Sequence, residues 1–224
     1  MLVSKSFLQF FDKVSSQSSP TVWRVHESDR SATFTELEIK KSNAEFVGFD
    51  EYLTKSMACL TTIRSSIFKD KECDGIAFVV HGKQEQLLFV ELKSKYSKKL
   101  VYDAIKQMCY SFLKMHSMLS LCEDYSLTNL PIIFCAATNC AMDEKEESHI
   151  KQYIHQALMS NEYKETGLFL QNLFFKGSVC IKLNNLFQIM NIRLPVHDHI
   201  KHKEITVFLN KTKTPKDKTA IFIL

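Results

Sequence analysis

Glycine and proline are scarce in this chain: of 224 residues only 5 are Gly and 4 are Pro. That excludes a flexible interdomain linker and any low-complexity tract. With 45% hydrophobic residues, the chain is expected to bury one core as a single domain over 1–224. No apolar run is long enough to span a membrane. The first 16 residues lack a signal-peptide pattern, because Asp12 and Lys13 follow directly on a short apolar stretch. Leu2, Phe7, Phe10, Phe11 and Val14 instead predict a short amphipathic helix within 1–16. Seven cysteines (59, 73, 109, 122, 135, 140 and 180) form no CxxC pair. Their odd count and apolar surroundings read as reduced core thiols of a cytoplasmic protein. The net charge of +4 is too small to name a partner. What matters more is clustering, in KSKYSKK at 93–99 and NKTKTPKDK at 210–218, the latter reading as a solvated loop before a final strand. The 17 phenylalanines suit a packed core, and equally a protein interface.

Periodicity orders the elements. TVWRVH at 21–26 predicts a strand, and SATFTELEI at 31–39 a second strand or the opening of a helix. Tyr52, Leu53, Met57 and Leu60 recur at helical spacing, which predicts a helix over 50–68. Strands near 74–80 and 86–93 come next, then a long helix over 99–120. Its apolar face is Leu100, Ala104, Ile105, Met108, Phe112, Leu113 and Met115, and its opposite stripe is Asp103, Gln107, Tyr110 and Lys114. LPIIFCAAT at 130–138 is an unbroken apolar run, as buried central strands are. Acids at the start of 143–160 suit a helix dipole there. Strands are expected at 177–183, 203–210 and 219–224, and SSQSSP at 15–20 reads as a loop. The class is α/β, a mixed central sheet with a hairpin, flanked by helices.

The hairpin carries the chemistry. In CDGIAFVVHGKQEQLLFVELKSK, residues 73–95, Gly82-Lys83 suits a type II′ turn. That register sets Asp74 opposite Glu91. Side chains alternate, so Glu91 and Lys93 share a face while Leu92 points away. Two adjacent carboxylates repel, and one lysine offsets them only in part. A hard divalent cation neutralises them better. The three charges therefore point to a metal site beside a cationic group.

Asp74 with the tripeptide Glu91-Leu92-Lys93, on a hairpin followed by a helix and an apolar strand, resembles the PD-(D/E)XK nuclease superfamily of restriction-endonuclease-like and RecB-like enzymes. The resemblance covers residues 36–138 and implies a restriction-endonuclease-like core. Helix 1–16 and segment 143–224 would be additions to it. It also implies Mg²⁺ or Mn²⁺ held by Asp74, Glu91 and the Leu92 carbonyl, with Lys93 assisting the attacking water. The upstream glutamate of the family is Glu51 first, with Glu45 and Glu38 as competitors. Gln107 and Tyr110 resemble a glutamine and tyrosine near the RecB-like site, one residue closer than usual, and an exposed helix face explains them as well. Lys95, Lys98 and Lys99 are placed to hold backbone phosphates. Where the family has a proline before the aspartate, Cys73 stands here.

The expected function is a metal-dependent nuclease, cutting DNA in preference to RNA. Its expected setting is a bacterial defence or DNA-processing complex, with a partner protein for targeting and no membrane partner. The alternative is an inactive nuclease-like subunit used for binding or assembly. A separate reading concerns His197, His199 and His202, which could bind zinc but read first as a solvated loop.

Overall fold

Gly82 takes φ +62° at the hairpin tip, a conformation that costs glycine nothing and suits the first turn position. In this computed structural model, the described residues are 2–10, 16–27, 32–49, 72–139, 144–194, 196–214 and 216–224. The hairpin arms are β3 (Gly75–His81) and β4 (Gln84–Lys93), with Gly75 opposite Val90 and His81 opposite Gln84. This is the register expected from the sequence.

Helix α1 (Val3–Phe10) precedes β1 (Ser16–His26) and β2 (Glu36–Phe49). After the hairpin come α2 (Lys98–Leu119), β5 (Ile132–Thr138), α3 (Glu144–Met159) and α4 (Lys164–Gln171), which runs into a π-helical turn, Asn172–Lys176. β6 (Ser178–Lys182), α5 (Leu183–Ile189), α6 (Asp198–Lys201), β7 (Glu204–Lys211) and β8 (Thr219–Ile223) complete the chain. One mixed sheet has the order β1-β2-β3-β4-β5-β7-β6, with β8 also on β2. The β1 to β4 neighbours are antiparallel, β4, β5 and β7 are parallel, and β6 is antiparallel to β7. Strands from the segment expected as an addition thus join the central sheet.

Alternation divides the core. Ile76, Phe78, Leu87, Phe89, Phe134 and Ala136 face the helices, where Ala104, Met108, Phe112 and Phe7 pack on them. Ala77, Val79, Leu88, Val90, Leu92 and Cys135 face the other way, toward Trp23, Phe34, Ile39 and Phe222. The β1–β2 ribbon bends to cover that second face. A bulge lies between Pro20 and Val22, and Thr21 and Asn43 take positive φ. The early part of β2 (36–40) pairs with β8, while 45–49 pairs with β3.

Three expectations change. SSQSSP opens β1 from Ser16 rather than forming a loop, because 16–20 pairs with Phe49 to Glu45. The histidine segment contains α6. Cys180 is exposed on β6, unlike the buried Cys73, Cys109, Cys122 and Cys135, and all five are free thiols. The helix expected over 50–68 lies outside the described residues, as do Cys59 and Cys140. Among the described residues no helix is long and apolar enough to cross a membrane.

Candidate metal and nucleic-acid site

Phe89 fixes the face on which the charges stand. Its ring lies 5.5 Å from Phe134 and 6.1 Å from Phe112 of α2. Glu91 and Lys93 follow on that face at the carboxyl end of β4, beside the parallel β5. In open α/β sheets, the carboxyl ends of parallel strands are where ligands gather. Glu91 is 2% exposed and its neighbour Lys93 19%.

The hairpin's open end is tied together by hydrogen bonds. Asp74 Oδ2 accepts from the Leu92 N–H at 2.7 Å, and Glu91 Oε2 accepts from the Asp74 N–H at 3.2 Å. Hydrogen-bonding groups of one strand residue leave on the same edge, so the Leu92 carbonyl also faces the β3 side. Lys93 Nζ pairs with Glu91 Oε1 and donates to Gln107 Oε1 at 2.8 Å. Gln107 then donates through Nε2 to the Glu72 carbonyl at 3.2 Å. The Glu72 carboxylate accepts from Lys114 Nζ at 2.7 Å, with Lys114 fully buried. Cys73 N–H donates to Ser111 Oγ at 2.9 Å. The segment before β3 therefore crosses α2, and the later part of the polar stripe, from Gln107 to Lys114, becomes an internal seam. Tyr110 is buried as well.

Burial pushes the Glu91 carboxyl up to about 8, with the Asp74 charge acting in the same direction. Lys93 opposes this only in part, and the Glu27 charge adds to it. Glu27 follows β1, donating its N–H to the Thr35 carbonyl at 3.0 Å. Its position was not legible from local sequence, since that strand end comes near only because the β1–β2 ribbon bends over the hairpin, with Trp23 and Val25 against Gly75. Thr138 and Asn139 were also missed. Both are buried at the end of β5, Thr138 in register with Lys93, and Asn139 N–H donates to the Lys93 carbonyl at 3.3 Å. The Thr138 hydroxyl has no hydrogen-bond partner.

Glu38 does not join the site, because Arg24 and Lys40 hold it, each at 2.7 Å, on the β1–β2 face. Glu45 lies in register with Val80, toward the hairpin tip, and accepts from Ser18. Glu51 lies outside the described residues. Lys95 and Lys99 are exposed beyond β4 and at the start of α2. Lys98 instead sets its amine 3.3 Å over the Tyr153 ring.

Among the described residues, no group of three or more His, Cys, Asp or Glu side chains is gathered for a metal. The donor set at Asp74 and Glu91 nonetheless fits Mg²⁺, which keeps several waters and needs only one or two carboxylates. Such a cation would offset the Asp74 charge, which adds to burial in raising Glu91. The late histidines form no such group. His197 and His199 join through their Nδ1 atoms at 2.6 Å, and the third ring beside His199 is His116 of α2, at 5.8 Å, rather than His202. Sequence spacing could not reveal that partner from so far along the chain.

No family model, curated protein or solved structure matches the chain.

Proposed function

We propose that the protein is a metal-dependent nuclease of the PD-(D/E)XK type, hydrolysing phosphodiester bonds, in DNA before RNA. The observation that carries this reading is the convergence of Asp74, Glu91 and Lys93 at the open end of the hairpin. The order of hairpin, helix α2 and parallel β5 supports the restriction-endonuclease-like reading of the core.

Asp74, Glu91 and the Leu92 carbonyl would hold Mg²⁺ or Mn²⁺. Such an ion, when bound, supplies Lewis-acid charge and a water of lowered pKa. Lys93 stands beside the carboxylates, where its ammonium can orient the attacking water and stabilise negative charge growing on the phosphate. Gln107 holds the Lys93 amine by accepting from it, and the Glu72 carbonyl holds Gln107 in turn. Glu51 stays the upstream acid of this reading, since Glu38 is held by Arg24 and Lys40 and Glu45 lies toward the hairpin tip. Lys95 and Lys99 can receive neighbouring phosphates. A setting in a bacterial defence or DNA-processing complex, with a targeting partner, belongs to this reading through the family resemblance.

A second reading is an inactive nuclease-like subunit used for binding or assembly. It is favoured by the fact that both Glu91 oxygens already have protein partners, Lys93 and the Asp74 N–H.

Purified protein incubated with plasmid, linear duplex, single-stranded DNA and RNA, in Mg²⁺, Mn²⁺ or EDTA, separates the two. The nuclease reading expects cutting that needs the metal and disappears in Asp74→Ala and Lys93→Ala. Cutting that survives both substitutions contradicts the site assignment. Absence of cutting, with no Mn²⁺ binding by calorimetry, favours the inactive subunit.

A further inference from the structure

A groove of about 630 Å³ lies between α2 and α3, lined by Lys98, Lys99, Tyr102, Lys106, His149 and Tyr153, among others. Its volume is in the range of small-ligand sites, roughly 300–1,000 Å³. Three lysines give it a cationic rim. Two acids, Asp103 and Glu146, share its wall, and one Glu146 oxygen accepts from the Lys98 N–H at 3.1 Å. Two tyrosines give it aromatic surface. Tyr153 is 36% exposed, and the Lys98 amine rests on its ring. The Tyr102 hydroxyl is buried and has no hydrogen-bond partner. A hydroxyl in that state gains by meeting a ligand acceptor.

The groove adjoins the hairpin site. Asp103 on its wall is one helical turn from Gln107, which holds Lys93. Residues four apart on a helix are separated by about 5–6 Å at Cβ. That step is of the order of one nucleotide along a strand.

We infer that this groove seats one nucleotide of single-stranded nucleic acid, next along the strand from the phosphate at Lys93. The position of that phosphate rests on the nuclease reading above, whereas the ligand class rests on the groove. Lys99 and Lys106 on the rim take the backbone phosphates, and the exposed part of the Tyr153 ring, left uncovered by the Lys98 amine, offers surface to an unpaired base. Bases inside a duplex are already stacked on their neighbours, so aromatic platforms select the single strand. The Tyr102 hydroxyl donates to the seated nucleotide.

The test is fluorescence anisotropy with a dye-labelled oligothymidine and a duplex of equal length, in EDTA, on Asp74→Ala protein. Single strand is expected to bind more tightly than duplex. Tyr153→Ala is expected to weaken single-strand binding by about tenfold. Lys106→Ala is expected to lower the salt slope by about 0.7, and Tyr102→Phe, which removes only the hydroxyl, to weaken binding severalfold. Thermal unfolding of each variant confirms that it is folded. Equal or tighter duplex binding overturns the inference. So does single-strand binding unchanged in Tyr153→Ala and Tyr102→Phe, and so does no binding by the Asp74→Ala protein. Cleavage by the unsubstituted protein is scored separately. Groove-dependent binding without cleavage and without Mn²⁺ binding removes the nuclease reading and keeps the groove, and cleavage with unaltered binding in the variants does the reverse.

Discussion

Glu38 and Glu91 are the same side chain in opposite surroundings. Glu38 stands on the β1–β2 ribbon between Lys40 and Arg24, whose hydrogen bonds and charges hold its carboxyl below the usual range. Glu91 stands at the hairpin's open end, buried beside Asp74, and is pushed up to about 8. Both have a lysine two residues further on the same strand. Motif spacing alone therefore does not distinguish them. Burial and a second carboxylate do: the hairpin register supplies Asp74, and the packing of α2 and β5 around the end of β4 supplies the burial. The ribbon satisfies its charges with its own cations, whereas the hairpin crowds two carboxyls so that one of them keeps its proton.

The comparison breaks most visibly in catalysis. Asp74→Ala and Lys93→Ala are expected to reduce metal-dependent cleavage at least about a hundredfold, the scale of losing one transition-state stabiliser. Initial rates on plasmid DNA check this. Next in size is the buried pair behind the site. Lys114→Ala leaves the Glu72 carboxylate, 7% exposed, without its cation, and is expected to cost about 3–5 kcal/mol in urea unfolding. Pairing Lys114→Met with Glu72→Gln should recover most of it.

The pH dependence sharpens the contrast. The Glu91 carboxyl is raised in the folded chain, so the folded state holds a proton that the unfolded state releases. Its stabilising contribution in metal-free protein is therefore fully present below the unfolded value of about 4.5. It is lost progressively as pH rises toward about 8. Glu91→Gln should flatten that decline, measured as the urea midpoint from pH 5 to 9. Smaller still is Gly75→Ala. A Cβ there would lie 2.9 Å from both Trp23 Cη2 and Val25 Cγ2, and the overpacking is expected to cost about 1–3 kcal/mol. At the bottom is Glu38→Gln, expected to leave both cleavage and the unfolding midpoint unchanged, because its partners are exposed surface cations.

Much of the hairpin was legible. A two-residue turn led by Gly82 admits one register, and that register alone sets Asp74 beside Glu91. Helix α2 and strand β5 followed from plain periodicity. What was illegible depends on contacts between distant segments. Lys114 reads as a surface lysine until segment 72–74 is laid across α2. Glu27 reads as a strand-end acid until the β1–β2 ribbon is bent over the hairpin, with Val25 against Gly75. His116 belongs with His199 only because α6 approaches the later part of α2. The Ser-rich segment was misread because strand pairing, not side-chain propensity, holds 16–20 extended.

The most direct test of the hairpin as a metal site is anomalous diffraction from crystals soaked in Mn²⁺. The account predicts a peak beside the Asp74 and Glu91 carboxylates, absent from Asp74→Ala crystals. Full-strength Mn²⁺ soaks that leave this position empty, with Glu91 still paired to Lys93, would contradict it.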